Sequence, residues 1–159
     1  MLKERVIAIA VLLPIGLAFI YLGDWPFALF VTAVLGGAAW EYARLFRRGG
    51  YHPSTAVILG GVVLLALARG FLDRGASMSA GPALLAVVVM VSMSVHVFGY
   101  QRGQEQAATD FVIDLGGVLY LGWLGSYLIS VRQIEQPNGM WALLLVLPAV
   151  WLADSAAYF

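Results

Sequence analysis

The sequence contains no cysteine at all. That excludes a disulfide-stapled scaffold and any thiolate metal site. Charge is scarce as well: charged residues make up 11% of the chain, against about 25% in an ordinary soluble domain. Nine Lys and Arg balance nine Asp and Glu. No acidic or basic tail is present, so the electrostatic footprint of a nucleic-acid binder is missing. The motifs of conventional soluble active sites are absent too. There is no P-loop, no HExxH and no GxSxG, and the glycines do not form a strand-to-helix dinucleotide fingerprint.

What fills the chain instead is apolar. Of 159 residues, 62% are hydrophobic, and the mean hydropathy is +0.88. A soluble fold of this length could not bury so much apolar side chain and still present a polar surface. Disorder needs the opposite balance. The composition therefore indicates an integral membrane protein.

Six apolar runs stand out, at Val6–Leu22, Trp25–Ala43, Ala56–Ala68, Pro82–Tyr100, Leu115–Val131 and Met140–Phe159. Five are long enough to cross a hydrocarbon layer of about 30 Å. The third becomes so if it extends through Arg69 to Leu72, with the arginine snorkelling at the interface. The runs are continuous rather than alternating, which argues against barrel strands. Backbone groups in lipid must be satisfied within the segment, so the spans are helical. The expected fold is an all-α polytopic transmembrane bundle of about six spans.

The breaks between runs carry turn chemistry. In Gly23-Asp24-Trp25-Pro26, Asp24 is placed to cap and Pro26 to start a helix. Gly49-Gly50 and His52-Pro53-Ser54 separate spans two and three, and Gly81-Pro82 opens span four. Thr109 or Asp110 is placed to cap span five, and Pro137-Asn138-Gly139 turns into span six. Lys3 and Arg5 before the first run fit a retained signal anchor, since that run exceeds a usual signal-peptide core and no small-x-small cleavage site follows it. With the N-terminus in the cytoplasm, that side holds Lys3, Arg5, Arg44, Arg47, Arg48 and Arg102. The other side holds Arg69, Arg74 and Arg132. The positive-inside rule favours this orientation.

Asp154 is the sharpest chemical signal. A carboxylate inside an apolar span is costly and points to a functional role with a partner, ahead of the alternative of a structural carboxylate hydrogen-bonded to a neighbouring helix. Trp151 and Tyr158 fall at helical offsets that share its face, and Ser155 is adjacent. Such a carboxylate suits a hard cation such as Mg²⁺, which takes oxygen ligands and needs only one or two carboxylates. Glu41 reads more simply as an interfacial ion pair with Arg44 or its neighbours. Gly116, Gly117, Gly122 and Gly125 allow close helix approach in span five, beside an aromatic stripe of Tyr120, Trp123 and Tyr127. His96, with Ser92 and Ser94, reads as a hydrogen-bonded helix contact.

Several stretches resemble a known family. Gly117-Val-Leu-Tyr120-Leu-Gly122, Arg132, Gly139-Met-Trp141 and Val150-Trp-Leu-Ala-Asp154-Ser155-Ala-Ala-Tyr158-Phe159 are similar to the phosphatidate cytidylyltransferases, or CDP-diglyceride synthetases. Leu2-Lys-Glu-Arg5-Val6 and Ala39-Trp-Glu41-Tyr42-Ala-Arg44-Leu45 fit the same pattern. The resemblance implies a Mg²⁺-dependent enzyme of the inner membrane that makes CDP-diacylglycerol and pyrophosphate from CTP and phosphatidate. Asp154 is then the catalytic residue and cation ligand, with Ser155 and Tyr158 as substrate-binding neighbours. The partners expected are CTP, phosphatidate, the bilayer and a second copy of the chain in a homodimer. The family's basic loop and C-terminal signature rich in Lys, Asp and Gly do not occur in these residues. Residues 1–159 are therefore expected to be the N-terminal transmembrane part of a longer enzyme, inactive alone. The alternative is a small transporter or channel subunit with Asp154 as its proton or cation site. A third reading is a scaffold subunit whose glycine and aromatic faces only pack.

Overall fold

The computed structural model describes residues 13–73, 79–135 and 137–158, except for the side chains of Trp151, Leu152 and residues 154–158. It is all-α, with no strand among the described residues. Helix α1 covers Leu13–Leu22, α2 Asp24–Arg48 and α3 Thr55–Leu67, the last running on through a π-helical segment, Ala68–Leu72. Helix α4 spans Gly81–Gln101 and α5 Ala107–Gly117. A second π-helical segment, Val118–Leu124, leads from α5 to α6 at Tyr127–Gln133, and α7 covers Asn138–Tyr158. Four of these continuous stretches are long and apolar enough to cross a membrane: 24–48, 55–72, 81–101 and 107–133. The chain is a multi-pass membrane protein. The first predicted span lies partly outside the described residues, which begin within it.

The turns follow their residues. Gly23 (φ 64°) and Asp24 (φ 44°) both adopt left-handed backbone, which reverses the chain between α1 and α2 within one step. A side chain at Gly23 would run into the Arg132 guanidinium. Asp24 does not cap α2 as expected. It is the first helical residue, Gly23 holds the cap position, and no side chain caps that end. Ser54 does cap α3, its hydroxyl accepting from the Val57 amide at 3.4 Å. Pro82 sits in the first turn of α4, where its missing amide costs nothing.

The helices pack on small residues. Ala28, Ala39 and Ala43 of α2 and Ile58, Val62 and Ala66 of α3 are fully buried in one core with Phe27, Val31, Ile129 and Leu143. Gly117 and Gly122 bring the α5 backbone against this layer. A Cβ at Gly117 would lie 2.9 Å from Tyr42 and 3.0 Å from Ile58, and one at Gly122 would lie 3.2 Å from the Val62 Cα. The close approach expected of these glycines is therefore present. Helix α4 is different. It fully buries only Gly81, Val88, Ser92 and His96, half-buries Leu84 and Leu85, and leaves most of its other apolar side chains exposed.

Candidate functional site

Two buried polar clusters lie at opposite ends of the bundle. The first surrounds the short connection from α2 to α3. Its centre is Asp114 on α5, with no exposed surface. One carboxylate oxygen accepts from the Ser54 amide at 2.9 Å. The other lies 3.3 Å from the Ser92 hydroxyl and 2.8 Å from His96 Nε2. With Asp114 as the acceptor, the Nε2 proton is assigned to His96. One turn earlier, Asp110 accepts from the His52 amide at 2.8 Å. The Tyr42 hydroxyl donates to the Ile113 carbonyl at 3.0 Å. Two carboxylates four residues apart thus fasten the 52–54 connection to α5, while Ser92 and His96, also four apart, fasten α4 to the same group.

This cluster corrects the sequence reading of span five. The predicted start was Leu115, with Thr109 or Asp110 as cap. The helix begins at Ala107 instead, Gln106 holds the cap position, and no side chain caps it. Asp110 and Asp114 are inside the helix and buried because two loop amides and two side-chain donors need acceptors there. His96 and Ser92 are hydrogen-bonded contacts between helices, as read, whereas Ser94 is exposed and bonds to the Met90 carbonyl of its own helix. Asp114, the partner of His96, was missed.

Both oxygens of Asp114 are already engaged, so the cluster holds the fold at this end rather than presenting a free carboxylate. Among the described residues no group of three or more His, Cys, Asp or Glu could hold a metal ion. Asp110 and Asp114 do not fit a Mg²⁺ centre, because their neighbours are donors rather than further oxygen ligands. Asp154, Ser155 and Tyr158 lie in the last turns of α7, whose backbone is helical through Tyr158. Their side chains fall outside the described residues. Glu41 is exposed and forms no ion pair among the described residues. Arg44 lies instead over the Trp40 ring, 5.2 Å from its centroid.

The second cluster forms where the first π-helical segment packs against α6. Arg69 was expected to snorkel outward. It is buried, 8% exposed, because its guanidinium turns toward the end of the α5–α6 span. Nε donates to Ser126 Oγ at 3.0 Å and Nη1 to Ser130 Oγ at 3.3 Å. The guanidinium carbon lies 3.9 Å from the Tyr127 ring centroid and 5.2 Å from that of Trp123. Two members of the predicted aromatic stripe therefore enclose an arginine, whereas Tyr120 points away and is largely exposed. Nearby, Gln133 donates to the Gly70 carbonyl at 3.1 Å. Arg132, also buried, donates to the Ile20 carbonyl at 2.7 Å and ties α6 to the end of α1.

An apolar groove of about 430 Å³ runs between α1, α2 and α7, lined by Leu17, Phe27, Phe30, Val34, Leu144 and Leu147 among others.

The architecture is that of a polytopic α-helical membrane protein with charged groups buried at both ends. The chain belongs to the cytidylyltransferase family, whose model matches residues 3–159. It is 33% identical, over an alignment of 177 positions, to phosphatidate cytidylyltransferase of Pseudomonas aeruginosa strain PAO1. That alignment takes in all of this chain and 57% of the relative, so the chain spans little more than half the relative's length. No solved structure matches it.

Proposed function

We propose that the protein transfers a cytidylyl group from CTP to phosphatidate, giving CDP-diacylglycerol and pyrophosphate. The observation that carries this reading is the similarity to a phosphatidate cytidylyltransferase along the whole of this chain. In the reaction a phosphate oxygen of phosphatidate attacks the α-phosphorus of CTP, and the bond to the β-phosphate oxygen breaks to release pyrophosphate. Two highly charged phosphate groups must approach each other, so the site needs cationic neutralisation. Mg²⁺ would supply it when bound, and Asp154 is the residue of this chain assigned to hold the ion. Ser155 and Tyr158 are assigned to contact substrate. The protein is placed in the inner membrane with its N-terminus cytoplasmic, which puts the end of α7 on the side where CTP is found. A homodimer is the proposed assembly. Residues 1–159 are read as the N-terminal transmembrane part of the enzyme, without turnover of their own.

The test is pyrophosphate release by the full-length gene product in mixed micelles containing phosphatidate. Turnover is expected with CTP and Mg²⁺, to vanish with EDTA and to return with added Mg²⁺. Asp154→Asn is expected to lower it by about 100-fold or more while leaving the folded yield unchanged. No turnover by the full-length protein would overturn the reaction. Full activity in a folded Asp154→Asn variant would overturn the site.

A further inference from the structure

Arg69 carries a positive charge into the bundle with no opposing charge beside it among the described residues. Its side chain is 8% exposed, and it forms no ion pair among the described residues. A buried charge without a counter-charge is costly in a protein and more so at membrane depth. The partners it does have are neutral: two serine hydroxyls and two aromatic faces. Hydroxyls and π-faces lessen the desolvation of a guanidinium but leave the net charge in place. Of five N–H donors on an arginine, two are engaged among the described residues. The planar fork is suited to bidentate binding of a phosphate oxyanion.

The backbone around it is unusual in the same place. Arg69 sits within one π-helical segment, and the other, Val118–Leu124, carries Trp123 and leads directly to Ser126 and Tyr127. Such segments are rare and recur at functional sites, because the extra residue redirects side chains. One of the two holds Arg69, and the other supplies the Trp123 ring beside it. The cluster is also reachable from outside. Tyr127 is 43% exposed, and Ser130, which accepts from the guanidinium, is partly exposed.

We propose that Arg69 is the centre of a phosphate-binding site at the end of the bundle opposite the α2–α3 connection. The ligand is a phosphate group, carried by an anionic phospholipid headgroup or free in solution. Arg69 supplies the charge and the fork, Ser130 a hydroxyl beside it, and Tyr127 and Trp123 the walls. The site stands apart from Asp154, and its existence does not depend on the cytidylyl-transfer reading.

The test uses the full-length protein in neutral detergent, titrated separately with short-chain phosphatidylglycerol and with inorganic phosphate. Native mass spectrometry counts bound lipid, and tryptophan fluorescence follows both titrations. Arg69→Gln is expected to weaken binding about tenfold, the loss of one charge-assisted contact. Arg102→Gln, an exposed arginine beyond α4, is expected to change nothing. Arg69→Lys keeps the charge without the fork, is expected to weaken binding several-fold, and serves should the glutamine variant not fold. An Arg69-dependent loss confined to phosphatidylglycerol supports the site with a lipid as its source. A loss confined to inorganic phosphate supports it with a free ligand. Equal binding of both probes by wild type and the folded Arg69 variants would overturn it.

Discussion

Asp114 makes a strong prediction at the scale of one residue, because every group around it depends on its oxygens. Asp114→Ala leaves the Ser54 amide, the Ser92 hydroxyl and His96 Nε2 without their acceptor in a buried site. Removing one partner of a buried polar network costs about 3 kcal/mol, since the remaining groups stay desolvated. Asp114→Asn keeps one acceptor oxygen and is expected to lose about half as much. Denaturation in mixed micelles measures both, and an alanine variant as stable as wild type would remove Asp114 from its proposed structural role. The physics that singled out Asp154 in the sequence applies equally to Asp114, which is followed by an apolar run and preceded by Phe111-Val112-Ile113. Thr109, Asp110 and Glu105 made that stretch look like a polar entry to the span. Only the three-dimensional position of the Ser54 and His52 amides shows why the helix carries two carboxylates inward.

At the scale of the element, the α2–α3–α5 contact is set by missing side chains. Gly117 faces Tyr42 and Ile58 so closely that a larger residue must push one of them aside. Gly117→Leu is expected to cost about 3 kcal/mol, as overpacked cores do. Gly60, with open space where its Cβ would lie, is the matched control. Gly60→Ala in the middle of α3 is expected to be neutral or stabilising by up to about 1 kcal/mol. Unfolding transitions of the two variants side by side decide the matter, and an equal response would mean that helix propensity, rather than contact, governs these positions. Span boundaries were largely legible here, because Gly49-Gly50, Pro53-Ser54, Gly81-Pro82 and Pro137-Asn138 interrupt hydrophobic runs where the chain turns. The π-helical segments were not. Ala68–Leu72 and Val118–Leu124 contain no residue that demands an extra backbone step, and the wider turn is fixed by packing between spans. That is why a stripe drawn at ordinary helical offsets through Tyr120, Trp123 and Tyr127 separates in the structure. Trp123 and Tyr127 turn to Arg69, and Tyr120 faces outward.

For the whole molecule, the polar clusters define two ends, and each belongs to one side of the membrane. The α2–α3 connection, the end of α4 and the start of α5 share the Asp114 end; the ends of α3 and α6 share the Arg69 end. In the orientation proposed above the Asp114 end faces the cytoplasm, the side on which Arg44, Arg47, Arg48 and Arg102 lie. The absence of cysteine from residues 1–159 makes this measurable on this chain. Glu105 and Glu135 are both exposed and lie in connections at opposite ends. A single cysteine introduced as Glu105→Cys is expected to resist a membrane-impermeant maleimide in intact spheroplasts and to react after permeabilisation. Glu135→Cys is expected to react in both. The reverse pattern would invert the topology, place the end of α7 away from the cytoplasm, and separate Asp154 from the CTP it is proposed to use. Because each variant is its own control on opening the membrane, the two labelling patterns together fix the orientation without reference to activity.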